Sequence, residues 1–169
     1  MPLFHILSEG RNIMERVVGL GEIVVSGSEE DIIKTFALAS CIAVTAYSPS
    51  NKVAGMIHIV LPHPFDSKDY EERPGYFAES GIPLLFRKMC GYYGCRKEEL
   101  QVQMYGGADS ICRRDIYRVG LKNINAARQK LIGLGIAVYR ADLGGTESRT
   151  IAMEVGTGRI EEFRRPMIL

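Results

Sequence analysis

Two apolar runs, residues 40–47 and 53–61, stand on either side of Ser48-Pro49-Ser50-Asn51. Proline presets the backbone of a turn, and serine and asparagine side chains bond their own backbone there. Strand-like runs joined by so short a turn predict a β-hairpin with a largely buried face. Pro62-His63-Pro64 ends the second arm, because proline has no N–H to give a ladder.

The remaining chain predicts further strands around this hairpin. Residues 17–25 are rich in β-branched side chains and stop at Ser26-Gly27-Ser28; Glu29-Glu30-Asp31 reads as a solvated turn. Residues 100–105 read as a strand that exits at Gly106-Gly107, and residues 136–141, 149–155 and 159–163 as three more. Helical spacing appears over 75–94, where Pro83 implies a late start or a kink, and most clearly over 120–135. There Leu121, Ile124, Ala127, Leu131 and Leu134 form one stripe. About seven strands and two main helices make an α+β pattern. We expect one domain, residues 17–169, with mixed and antiparallel β-sheets in a sandwich-like core and flanking helices. Residues 1–16 are expected to be an arm or short helix.

At 169 residues the chain is long enough to bury about 70% of its unfolded surface, so no staple is required. Lys plus Arg is 21 and Asp plus Glu is 20, which supplies no electrostatic reason for nucleic acid or an anionic membrane as partner. No uncharged stretch is long and apolar enough for a membrane span or a signal peptide. The expected compartment is the cytoplasm, where Cys41, Cys90, Cys95 and Cys112 stay reduced. Cys90-x4-Cys95 lacks the paired spacing of a zinc site, and Gly19-x-Gly21 lacks the rest of a dinucleotide fingerprint. No metal and no organic cofactor is expected.

Cys41 and His58 stand on the two arms of the hairpin. If the arms pair symmetrically about Pro49-Ser50, opposite residues have numbers summing to 99, which sets Cys41 against His58. Opposite residues share a face, with Cβ atoms about 4.5–5.5 Å apart. An imidazole beside a thiol can take its proton and later protonate a leaving amine, chemistry suited to acyl transfer at a carboxamide. The spacing alone leaves two readings open. Reduced cysteine often packs as a small hydrophobe, and histidine in an apolar strand is often a hydrogen-bonded core residue.

Several segments carry a resemblance that bears on this choice. Thr35-Phe36-Ala37-Leu38-Ala39-Ser40-Cys41 resembles the nucleophile segment of the CheD family of chemoreceptor glutamine deamidases, and Gly55-Met56-Ile57-His58 its histidine strand. Tyr105-Gly106-Gly107-Ala108, Val119-Gly120-Leu121-Lys122-Asn123 and Asp142-Leu143-Gly144-Gly145 resemble later motifs of that family, in the same order. The resemblance implies Cys41 as nucleophile, His58 as general base and acid, and Thr35 as the orienting third member. Ser40, Gly106 and Gly107 are the expected substrate-binding positions. It further implies glutamine side chains on the cytoplasmic helices of methyl-accepting receptors as substrate, and a CheC-type phosphatase as partner. A monomer is expected when the protein is alone.

Six residues of straight strand span about 20 Å, so Phe36 to Ser40 are expected to loop back over the site. The family usually has glycine where this chain has Ala37 and Ala39, and before Arg149 it tends to have another. If Ala37 or Ala39 takes a positive φ, alanine is disfavoured by about 1 kcal/mol or more. Two other functions remain as alternatives: a catalytically weak module that binds the CheC-type phosphatase, and a thiol redox protein using Cys90 and Cys95.

Overall fold

The hairpin forms where its turn chemistry places it. Strands β4 (Ile42–Ser48) and β5 (Val53–Ile59) pair antiparallel around a turn at residues 49–52, and every residue of both is buried. Both faces of this hairpin are covered, which explains its nearly continuous apolar runs. The structure is a computed structural model and describes residues 12–109 and 116–167. The arm expected at 1–16 therefore lies mostly outside the described residues, as does Cys112.

Nine strands, three α-helices and three short 3-10 or π turns make up the regular structure of the described residues. Strands β1 (Met14–Val17), β2 (Ile23–Ser26) and β3 (Asp31–Leu38) precede the hairpin. Helices α1 (Ser67–Glu72) and α2 (Ala78–Arg87) follow it, then β6 (Gln101–Gly106) and α3 (Val119–Gly133). Strands β7 (Val138–Leu143), β8 (Glu147–Glu154) and β9 (Ile160–Pro166) complete the fold. A five-stranded sheet runs β2-β5-β4-β6-β7 and a four-stranded sheet β1-β3-β8-β9, each with one parallel pair. This is the expected α+β arrangement of mixed sheets with flanking helices.

Period-two alternation divides the hairpin side chains between two cores. Ile42, Val44, Ala46, Ile57 and Ile59 pack against Ile82, Leu85 and Met89 of α2 and its continuation, and against Ile124 and Leu131 of α3. Ala43, Tyr47, Ala54 and Met56 point the other way, onto Ile33, Leu38, Ile151 and Met153 of the four-stranded sheet. The result is three layers: helices, five strands, four strands. Pro83 sits inside α2 without ending it, and a single π-helical turn, Lys88–Tyr92, extends the helix. The late start does not occur, because α2 begins at Ala78 and runs on past Pro83.

Two local expectations are corrected. Asp31 is not part of a solvated turn; it is buried, opens β3, accepts a 2.6 Å bond from the Ser26 hydroxyl and pairs with Arg16. Only Glu29 and Glu30 of that triplet are exposed. Residues 36–38 are not a loop either. They stay in β3 through a bulge, in which three steps from Thr35 to Leu38 face two steps from Ile151 to Arg149 on β8. Only residues 39–41 leave the ladder, where the chain crosses from one sheet to the other.

Candidate active site

The site lies between the two sheets. Thr35 comes from β3 on the four-stranded sheet and is fully buried. His58 comes from β5 on the five-stranded sheet and is 3% exposed. Thr35 Oγ1 and His58 Nδ1 are 2.8 Å apart, a hydrogen bond from one sheet to the other. The same hydroxyl donates to the Val18 carbonyl at 2.7 Å. A hydroxyl has one proton, and Val18 O can only accept it. Nδ1 must therefore carry a hydrogen and donate to Thr35, an assignment made from the network. His58 Nε2 is left as the lone-pair nitrogen. It is buried and makes no hydrogen bond.

The β2–β5 pairing runs on past Ile23 and holds the His58 backbone: Gly21 N–H donates to His58 O at 2.8 Å, and His58 N–H donates to Glu22 O at 3.2 Å.

Cys41 stands one residue before β4 and is half-buried against the inter-sheet core. The hairpin register differs from the symmetric expectation. His58 lies opposite Ala43, so paired numbers sum to 101 rather than 99. The four-residue turn at 49–52 is centred on Ser50-Asn51, one residue later than assumed. A slip of two leaves every side chain on its original face, because the strand period is two. Cys41 lies one residue beyond the last pair, Ile42 with Ile59, so it does not stand directly opposite His58; both residues border the space between the sheets.

The chain at the end of β6 holds the Cys41 backbone. Gly107 N–H donates to Cys41 O at 2.8 Å, and Ala108 N–H to Ala39 O at 2.7 Å. A Cβ on Gly106 would overlap the Cys41 carbonyl oxygen, and Gly106 has φ +107°, so only glycine fits. The Gly107 amide is thus turned to the Cys41 carbonyl. Ser40 is half-buried and its carbonyl accepts from Asn123 Nδ2 at 2.9 Å. Of the two alanines, Ala37 has a positive φ of +52° and Ala39 does not.

Two buried polar residues received no role in the sequence reading. Asn123 was visible only as the end of a motif, and Arg149 only as the residue after a missing glycine. Arg149 is 3% exposed; it donates to Asp142 Oδ1 at 3.1 Å and to Gly144 O at 2.9 Å, and pairs with Glu162. Gly144 N–H in turn donates to Gly106 O at 2.9 Å, so this ion pair braces the strand end beneath Cys41. No sequence-local signal marks such a brace, because its partners come from three strands.

Burial sets the protonation states. It pushes the Cys41 thiol above its ordinary range and the His58 imidazole below its own, the latter partly offset by the Val18 carbonyl. Both shifts favour the uncharged form, of the Cys41 thiol and of the His58 imidazole. Among the described residues, no group of three His, Cys, Asp or Glu side chains converges as metal ligands. Cys90 and Cys95 are free thiols on the helix-facing side of the five-stranded sheet, the face away from His58.

Comparison with known proteins identifies the family. A family model described as CheD chemotactic sensory transduction matches residues 60–162. A Syntrophotalea carbinolica protein named probable chemoreceptor glutamine deamidase CheD is 41% identical over 147 residues, covering 85% of this chain and 90% of its own. A Syntrophus aciditrophicus relative, named probable chemoreceptor glutamine deamidase CheD 1, is 37% identical with the same coverage. A Pyrococcus abyssi relative with a CheD name is 33% identical, covering 85% of this chain and 87% of its own. Among solved structures, the Bacillus licheniformis hypothetical protein YfiH superposes with a TM-score of 0.50 at 12% identity. That likeness covers 86% of this chain and 61% of YfiH, and it concerns the fold alone. By the extent and identity of these matches, the chain belongs to the CheD family of chemotactic sensory transduction.

Proposed function

We propose that this protein is a cysteine-dependent amidohydrolase that converts glutamine side chains of chemoreceptors to glutamate. Cys41 is the nucleophile, His58 the general base and acid, and Thr35 the residue that fixes the imidazole. The observation that carries this reading is the Val18–Thr35–His58 chain of hydrogen bonds. It holds the proton on Nδ1 and leaves Nε2 unpartnered at the space between the sheets, which Cys41 also borders.

The reaction follows from those roles. The Cys41 sulfur attacks the carboxamide carbon while its proton passes to His58 Nε2. The tetrahedral adduct collapses as Nε2–H protonates the departing nitrogen, leaving a thioester and releasing ammonia. Water then attacks the thioester carbon and gives a proton to Nε2. Collapse returns a proton to the sulfur and releases the carboxylate. Catalytic hydrogen bonds of this kind are commonly loose before substrate binds and tighten in the complex.

The names of the relatives support chemoreceptors as the substrate. With the resemblance, they favour glutamines on the cytoplasmic receptor helices and a CheC-type phosphatase as regulatory partner. One observation favours the weaker, binding-module reading: Ala37, four residues before Cys41, occupies a backbone conformation suited to glycine. Ammonia release from a receptor fragment decides between them, read with mass spectrometry of the glutamine peptides. Turnover by wild type and none by Cys41→Ala supports the enzyme. Wild type no faster than Cys41→Ala supports the binder.

A further inference from the structure

The ladder between the arms that carry Cys41 and His58 ends at Ile42 opposite Ile59. One position further the chains part. Cys41 O turns to Gly107 N–H, and Val60 N–H turns to Tyr76 O, at 2.8 and 2.9 Å. Asn123 of α3 stands in the opened end and is fully buried. Its Nδ2 donates to Ser40 O and to Val60 O, both at 2.9 Å. Those carbonyls belong to the residue before the nucleophile and the second residue after the histidine.

Asn123 Oδ1 is buried and has no partner. A buried oxygen left unpaired is unfavourable, and such groups are rare in folded proteins. An apolar side chain of similar volume would avoid it. What the amide adds is a bridge of fixed span between two chains that no longer bond each other. The fold brings α3 close enough for this. A Cβ on Gly120 would come within 2.6 Å of Gly107 O and overlap Ala108 O, and a Cβ on Gly107 would come within 2.6 Å of Ile124. The two glycines let the first turn of α3 lie against the strand end, so that Asn123 reaches between the arms.

We propose that Asn123 is a positioning residue that sets the separation of Cys41 from His58 by clamping the Ser40 and Val60 carbonyls together. This rests on the assignment of Cys41 and His58 above. Proton transfer between sulfur and Nε2 is sensitive to distance; a misplacement near 1 Å can lower a rate on the order of 100-fold. Asn123 acts through the pair and not on substrate, so its loss lowers kcat and spares KM.

Asn123→Asp tests this. It keeps the shape and replaces the amide nitrogen that donates to both carbonyls with one oxygen, which can bond at most one of them, and only when protonated. Turnover of the receptor fragment and iodoacetamide labelling of Cys41 near neutral pH are measured in wild type, Asn123→Asp, His58→Ala and the double variant. The expected result is a kcat fall of about tenfold or more with KM within about twofold. In the labelling cycle, the double variant should react no more slowly than His58→Ala, because the clamp acts only by aligning that base. Unchanged kcat, or effects that multiply in the cycle, would overturn the inference. If Asn123→Asp does not fold, Asn123→Ser is read in the same cycle. A wild-type-like Asn123→Asp beside an inactive Cys41→Ala sinks the clamp alone. Turnover by Cys41→Ala, or labelling indifferent to His58→Ala, sinks the catalytic pair and the clamp with it.

Discussion

Replacing Ala37 by glycine should stabilise the protein. Ala37 is exposed, sits in the β3 bulge and has φ +52°, while its N–H donates to Thr150 Oγ1 at 3.2 Å. The left-handed region disfavours alanine by about 1–2 kcal/mol, because Cβ crowds the following carbonyl. Glycine removes that strain but gives the unfolded chain more freedom, a loss of about 0.4–1 kcal/mol. The difference is about 0.5–1 kcal/mol in favour of glycine, since the side chain removed is exposed and the Thr150 bond uses backbone. For a chain of this length that corresponds to a rise in Tm of about 1–4 °C. Urea unfolding should show a higher midpoint with an unchanged slope. Ala39→Gly is the internal control. Ala39 lacks the positive φ, so glycine there should destabilise by about 0.5–1 kcal/mol. If the two substitutions shift the midpoint in the same direction, the strain argument is wrong.

Thr35→Val keeps the shape but strands both the Val18 carbonyl and His58 Nδ1–H; unfolding should show a loss of about 1–3 kcal/mol and kcat should fall, whereas Thr35→Ser should retain most of both. Gly106→Ala places a methyl on the Cys41 carbonyl in a conformation reserved for glycine, and urea titration should register a loss of about 2–5 kcal/mol. Stability should also vary with pH at both ends. The folded state holds His58 below its ordinary value of 6.5, so its contribution is present above that pH and lost as pH falls through the depressed value. It holds Cys41 above its ordinary 9.0, so that contribution is present below 9.0 and lost as pH rises through the elevated value. Urea midpoints measured across pH should flatten on the acid side in His58→Gln and on the alkaline side in Cys41→Ala.

The hairpin was legible because its evidence is local: a turn sequence and two apolar runs. The same holds for α3, whose stripe was read correctly at Ile124, Ala127 and Leu131. Errors appeared where a residue's state depends on a distant partner. Asp31 looked solvated within an acidic triplet, yet Ser26 and Arg16 satisfy it in the interior. Residues 36–38 looked like a loop because Thr35 seemed to need contact with Cys41. Thr35 instead meets His58 across the inter-sheet space, so the chain can remain a strand until Leu38.

The sequence reading set Cys41 against His58 by assuming a symmetric turn; the observed register is two residues away, an even slip that keeps each strand residue on the face assumed for it, and Cys41 packs against the inter-sheet core. Alternation fixes a side chain's face under any even slip. It does not fix what lies across from that face. The tautomer of His58, the bracing of Cys41 by Gly107 and the bridge at Asn123 all depend on how two sheets and a helix stack. Asn123 alone reaches partners 83 and 63 residues away. Hydrogen bonds over such separations leave no periodic trace in the chain, because they are made by layers that meet only once the fold is complete.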